Sequence, residues 1–394
     1  MTTVDDIHGI CDARFNAVKD AFAENFRVNG EVGASVAVTI DGRMVVDLWG
    51  GYADGARTRP WERDTIVNVY STTKGPVAIC AHHLVERGLL DVDAPVAKCW
   101  PEFAQAGKEL LPVRYLLNHQ AGLPAIREAL PVGSIYDWNR MTEALASERT
   151  WWEPGSKHGY HAVTFGFLVG EVIRRISGKS VGAYFREEIA QPLGIDFHIG
   201  LAAENDARTA ELLPAPQSDM DPEQIKVMTE LFSNPESATA RAFLNPPDLI
   251  VPGVVNTRQW RAAEIPASNG HGSARALARL YGALARGGSL DGVRVLKAGT
   301  IEQAIVEQSN GMDEVLRIPS RFGLGFMLAS PNLRLGRSNR SFGHPGLGGS
   351  IGFGDPDARV GFGYAMNQMI TNLGQATQED RRWAAICDAL YESL

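Results

Sequence analysis

Strand-forming sequence is concentrated at the two ends of this chain, with a long helical stretch between them. Near the start, ASVAVTI (34–40) and RMVVDLWGG (43–51) are β-rich runs joined by Asp41-Gly42, a strong hairpin signal. In the last quarter RFGLGFMLA, GGSIGFGD and RVGFGYAMN are again β-rich, the last two joined by a Pro356-Asp357 turn. Links this short imply antiparallel strands, because parallel neighbours need long crossovers. The expected architecture is therefore α+β: one antiparallel sheet fed from both chain ends, flanked by terminal helices at about 4–25 and Gln378–Glu392, with a mostly helical region inserted. Residues 1–65 and 255–394 would form the sheet lobe and 66–254 the helical lobe. The proline-bearing excursion 212–268 reads as irregular, with 212–254 as a lid over a cleft between the lobes.

Composition narrows the function classes. A formal charge of −8 argues against a nucleic-acid or anionic-membrane surface. No apolar run has transmembrane length, and MTTVDDIHGICDARF carries no signal-peptide pattern, so a cytoplasmic location without membrane contact is the default expectation. The four cysteines, Cys11, Cys80, Cys99 and Cys387, lack C-x-x-C spacing and read as reduced thiols. No metal site is implied: His82-His83 diverge by about 100° on a helix, and the H-x-x-H of His158 and His161 has no further ligand cluster. Nor is a nucleotide or other cofactor, since G-x-G-x-x-G is missing from any strand-to-helix setting.

Chemistry enters at VYSTTKGPV (69–77). After Lys74, apolar residues recur at helical spacing through Val77, Cys80, Ala81, Leu84 and Val85, and Gly88 supplies a stop. Residues three apart share a helix face, so the Lys74 amine would lie beside the Ser71 hydroxyl at a helix start. That pair is either a nucleophile with its proton acceptor or a serine cap beside an exposed lysine. A second serine competes, because Gly348-Gly349-Ser350-Ile351-Gly352 matches the G-x-S-x-G nucleophile elbow. The elbow requires a histidine later in the chain and a strand leading into a helix. The last histidine is His344, and β-type sequence continues past Ser350, so this reading fails. Tyr160, just after a Pro-Gly turn and before a helix, could project into the cleft as a second proton-handling group, or simply pack in its loop. GHPGLGGSIGF supplies a glycine-rich wall whose backbone N–H groups could meet a carbonyl.

Taken together, STTK, then PGS followed by YHA, then HPG before a glycine-rich strand follow the order S-x-x-K, Y-x-N/S, K-T-G. This resembles the serine β-lactamase and penicillin-binding-protein superfamily, and most of all the class C β-lactamase-like family VIII carboxylesterases. Stretches such as LLNHQAGLP, GLLDVDAPVAKCWPEF and NGHGSARALARLYGALARGG extend the likeness over most of the chain. The resemblance implies Ser71 as nucleophile, Lys74 as the amine that deprotonates it and Tyr160 as proton shuttle. His344 and Gly346 would stand where the lysine and glycine of K-T-G stand, and the backbone N–H groups of Ser71 and Leu347 would form the oxyanion hole. Two departures, Ala162 in Y-x-N and His344 in K-T-G, weaken recognition of a β-lactam and point to small carboxylic esters. Acyl transfer, amide hydrolysis, weak β-lactam hydrolysis and a catalytically silent ligand-binding protein remain the alternatives. Tyr136 and Trp152, among the aromatics of the helical lobe, and His271 in SNGHGS are further candidates to touch substrate. Oligomeric state is not readable.

Overall fold

In the computed structural model of the chain, residues 6–216, 222–370 and 379–394 are described. Nine strands form the main sheet: β1 (Ile7–Cys11), β2 (Gly33–Ile40), β3 (Arg43–Gly51), β4 (Ser309–Met312), β5 (Pro319–Phe322), β6 (Met327–Leu328), β7 (Phe342–Pro345), β8 (Ile351–Asp355) and β9 (Val360–Met366). Their order is β1-β3-β2-β9-β8-β7-β6-β5-β4, and every pairing is antiparallel. The two chain ends meet where β2 pairs with β9, from Val360 opposite Ile40 to Met366 opposite Ala34. The Asp41-Gly42 turn takes positive φ at both residues, 50° and 82°, as the tightest hairpins require.

The helices that frame the site are α1 (Asn16–Val28), α2 (Lys74–Glu86), α3 (Thr164–Ser177), α4 (Pro222–Phe232), α5 (Ala238–Leu244), α6 (Ala274–Ala285) and α7 (Arg381–Glu392). Helix α6 packs on β2, β8 and β9, while α1 packs against α7. Helix α2 lies against α3 and reaches α6 through Gly75, at which an added Cβ would come 2.0 Å from the Tyr281 hydroxyl. Among the described residues no helix is long and apolar enough to cross a membrane.

Two expectations are corrected. The first amphipathic segment is not one helix from residue 4. Residues 7–11 instead pair along β3, from Ile7 opposite Gly50 to Cys11 opposite Val46, and the helix begins at Asn16. The open edge of β3 presents unpaired N–H and C=O groups, and satisfying them outweighs a local helical pattern. The excursion 212–268 is also more regular than read. It holds α4, α5 and a short helix at Arg258–Ala262, with Ser237 and Thr257 capping the latter two through hydrogen bonds from Ala240 and Trp260. The closing helix begins at Arg381 with Asp380 as its cap; Gln378 lies outside the described residues.

Candidate active site

The strand at 67–68 turns sharply into the segment that carries Ser71. Tyr70, the turning residue, has φ +43° and ψ −129°, a strained conformation for a side-chain-bearing residue and one typical of functional sites. It is held there by a bridge to Asn269 and by the Thr73 hydroxyl, which donates to Tyr70 O at 2.5 Å and accepts from Gly270 N at 2.9 Å. Ser71–Thr73 form a single 3₁₀ turn that feeds directly into α2 at Lys74.

Lys74 is fully buried. Its amine stands 3.1 Å from Ser71 Oγ, donates to the carbonyls of Ala162 at 2.7 Å and Ala267 at 3.0 Å, and lies 4.7 Å above the Tyr160 ring. Among the described residues no carboxylate compensates it, and burial drives its pKa well below the ordinary lysine value. Tyr160 is also buried, and burial pushes its hydroxyl up, with a hydrogen bond to Ser71 pulling the other way. The tyrosine is fixed from behind: its N–H donates to Asp313 Oδ1 at 3.0 Å, and its ring stacks on Phe322 at 6.3 Å and lies beside His119 at 5.2 Å. Asp313 collects three more donors, Val315 N, Leu316 N and Ser320 Oγ. Sequence reasoning missed it, and no spacing motif marks it.

The opposite wall is β7 with the turn Gly346–Ser350. His344 donates its Nδ1–H to Pro345 O at 2.7 Å, and burial together with the nearby Lys74 amine holds its pKa down to about 3, so the ring is neutral. Ser350 faces away from the cleft, donating to Val69 O at 2.8 Å with its Oγ 3.1 Å from Thr72 Oγ1. Its hydroxyl therefore pins the wall to the Ser71 turn.

Ser71, Tyr160, His344, Gly346 and Leu347 border one cavity of about 200 Å³. Its remaining lining is largely apolar, with Phe232, Phe243 and Leu249 from the 222–249 segment facing Val315, Leu316 and Ile318. Among the described residues no Arg, Asp or Glu lines it.

Three expected contacts are placed elsewhere. Tyr136 borders a separate cavity with Trp138 and Arg174, its short 3₁₀ turn packing against the helix Trp138–Ser147 and the turn Pro247–Ile250. Trp152 buttresses the loop before Tyr160, packing against Gly159 and edge-on to His161 at 6.4 Å. His271 sits on a strand between residues 67–68 and 197–198 with its imidazole fully buried, and it is not among the residues that line the cavity. Asn269 acts as a turn former, bonding Trp260 O, Ala263 O and Ile265 N. His158 and His161 are committed to Ser320 Oγ and Gly159 O.

Comparison with known proteins gives the family of the chain. The Beta-lactamase family model matches residues 20–385. The chain is 38% identical to the esterase/beta-lactamase LipL of Mycobacterium tuberculosis, over 93% of this chain and 84% of that protein. It is 30% identical to esterase EstB of Burkholderia gladioli, over 55% and 57% respectively. Among solved structures, a family VIII carboxylesterase superposes with TM-score 0.89 at 44% identity, covering 98% of this chain and all of that one. A penicillin-binding-protein homologue from Caulobacter crescentus gives TM-score 0.88 at 40% identity, covering 99% and all. With a serine and a tyrosine lining one cavity, a buried amine behind the serine, and the family model spanning nearly the whole chain, the protein belongs to the Beta-lactamase family.

Proposed function

We propose that the protein is a carboxylesterase that cleaves small neutral esters through an acyl intermediate on Ser71. The observation that carries this reading is the hydrogen-bonding of Lys74. A neutral amine has two N–H donors and one lone pair. The carbonyls of Ala162 and Ala267 take both donors, which leaves the lone pair for the Ser71 hydroxyl 3.1 Å away. Burial lowers the amine's pKa and so favours its neutral form, which accepts the Ser71 proton as Oγ attacks the ester carbonyl. The N–H groups of Ser71 and Leu347 hold the developing oxyanion, a contribution of about 10²–10³ in rate per donor. Tyr160, whose high pKa suits an acid rather than a base, relays the proton from Lys74 to the departing alkoxide. Water, or an alcohol in its place, then releases the acyl group.

The lining supports neutral substrates. A carboxylate near His344 would lose its hydration without meeting a cation, because that imidazole is uncharged. β-Lactam hydrolysis is the second reading, favoured by the name of the Mycobacterium tuberculosis relative. It uses the same acyl-serine, and the uncharged wall supports it less than ester cleavage.

A fluorophosphonate probe followed by peptide mapping, with p-nitrophenyl butyrate turnover, tests the proposal. One adduct on Ser71, with turnover abolished in Ser71→Ala and kept in Ser350→Ala, is the expected result. Equal turnover in wild type and Ser71→Ala would overturn it.

A further inference from the structure

The turn that presents Leu347 is fastened from outside the cleft by a buried ionic cluster at the start of α7. Arg382 is fully buried, and every N–H of its guanidinium has a partner. Nε donates to Asp380 at 3.1 and 3.0 Å; Nη1 donates to Glu31 Oε2 at 3.1 Å and Gln368 O at 2.7 Å; Nη2 donates to Asp380 Oδ2 at 2.6 Å and Gly348 O at 2.7 Å. Tyr364 donates to Glu31 from the adjoining strand β9.

The last of the Arg382 bonds connects to the cavity through two peptide planes. Gly348 O and the Gly349 N–H belong to the same planar peptide unit. Gly349 N–H donates to Gly346 O at 3.1 Å. Gly346 O shares its own peptide unit with the Leu347 N–H. Fixing the first plane therefore fixes the second, and hydrogen bonds in such a chain reinforce one another. The turn is also tied by Ile370 N–H donating to Gly348 O at 3.1 Å and by Gly346 N–H donating to Ser350 O at 2.7 Å, and Arg382 adds the side-chain anchor to a segment whose Gly348 and Gly349 sit at φ +89° and +122°. A Cβ at Gly349 would lie 2.1 Å from Asp380 Oδ2 and 2.2 Å from Arg382 Nη2, so the glycine is what lets the cluster approach.

We propose that Arg382 is a positioning residue for the oxyanion site: through Gly348 O and Gly349 N–H it sets the orientation of the Leu347 N–H. This rests on the reading of Leu347 as an oxyanion donor. Arg382 is not part of the cavity lining, so its action is wholly through the turn. An oxyanion donor stabilises the transition state only if it is oriented beforehand, and little of its effect is felt by bound ester.

Two variants test the proposal. Arg382→Lys keeps the charge and loses the fork that spans Glu31, Asp380 and Gly348. The triple variant Glu31→Gln, Asp380→Asn, Arg382→Met removes the anchor with no buried charge left unpaired, the kind of exchange buried ion clusters commonly tolerate. Each is measured for thermal midpoint, for kcat and KM on p-nitrophenyl butyrate, and for affinity toward a trifluoromethyl ketone. Addition of Ser71 to that ketone places an oxyanion in the hole. The expected result is a kcat about 10–100-fold lower with KM changed less than about threefold, and ketone affinity falling in step with kcat/KM. Should Arg382→Lys fail to fold, the triple variant decides, with a wild-type-like midpoint and the same loss in kcat. A kcat within about twofold of wild type in a folded variant, or a lost kcat with unchanged ketone affinity, would sink the assignment. Fluorophosphonate labelling separates the two proposals: a wild type unlabelled at Ser71 defeats the reading of the site itself, whereas labelled wild type with fully active variants defeats only the role of Arg382.

Discussion

Lys74 Nζ stands 3.1 Å from Ser71 Oγ with no carboxylate among its partners in the described residues, and desolvation is what lowers its pKa. The consequence is a pH dependence in two observables. As pH rises through the lowered pKa of Lys74, the amine gains its lone pair, so kcat/KM rises and then levels. Stability moves in the same direction. In the unfolded chain this lysine titrates near its usual 10.5, so between the folded value and 10.5 the unfolded state holds one more proton. Stability is therefore lost as pH falls from 10.5 toward the folded pKa, with a slope of at most about 1.4 kcal/mol per pH unit. Denaturant unfolding of wild type and Lys74→Met across pH 7–10 measures it. The difference between the two should change with pH, and Lys74→Met should lose roughly 10⁴-fold in kcat. A pH-independent difference would refute the assignment of the neutral amine.

Asp313 should behave as the anchor of Tyr160. Asp313→Ala strands the N–H groups of Tyr160, Val315 and Leu316 and the Ser320 hydroxyl, all now bonded to one buried carboxylate. A cost of about 3 kcal/mol is expected, together with a fall in kcat because Tyr160 and the cavity wall of Val315 and Leu316 shift together. Asp313→Asn, which keeps an acceptor oxygen, should recover part of both. Chemical denaturation and steady-state kinetics check the pair.

Gly75 and Tyr281 should be coupled. An added Cβ at Gly75 meets the Tyr281 hydroxyl at 2.0 Å, directly after Lys74. Gly75→Ala should therefore destabilise the protein and displace the Lys74 amine. Tyr281→Phe removes the clashing oxygen, which has no hydrogen-bond partner to lose. The double variant should recover more than about 1 kcal/mol and much of the activity. Strict additivity in the cycle would contradict this account.

Acyl length should be set by the aromatic pair at the cavity end. Phe232 and Phe243 meet edge to face at 6.2 Å and line the cavity with Leu249. Phe243→Ala should raise kcat/KM for octanoate over butyrate esters by roughly threefold for each methylene newly buried. A substrate series of p-nitrophenyl esters reads this directly. An unchanged chain-length profile would place the acyl chain elsewhere.

Local signals in the chain carried most of what could be read from it. The Asp41-Gly42 dipeptide marked a hairpin whose turn needs positive φ, and the short links between β-type runs implied antiparallel strands at both ends. Helical spacing after Lys74 put its amine beside Ser71, a relation that depends only on neighbours three residues apart. The order of the three motifs pointed to the family. Composition cannot tell which face of the helical lobe a side chain meets: Tyr136, Trp152 and His271 lie outside the lining of the Ser71 cavity.

What only the tertiary structure decided is everything that joins residues distant in the chain. The strand at Ile7–Cys11 exists because β3 has an edge to pair. Lys74 finds its two carbonyls at Ala162 and Ala267, Tyr160 is held by Asp313, and Arg382 reaches Gly348 from the last helix. None of these follows from spacing, because backbone carbonyls and glycine peptides carry no side-chain signature. Their partnership is set by the burial that removes water and obliges each polar group to find another.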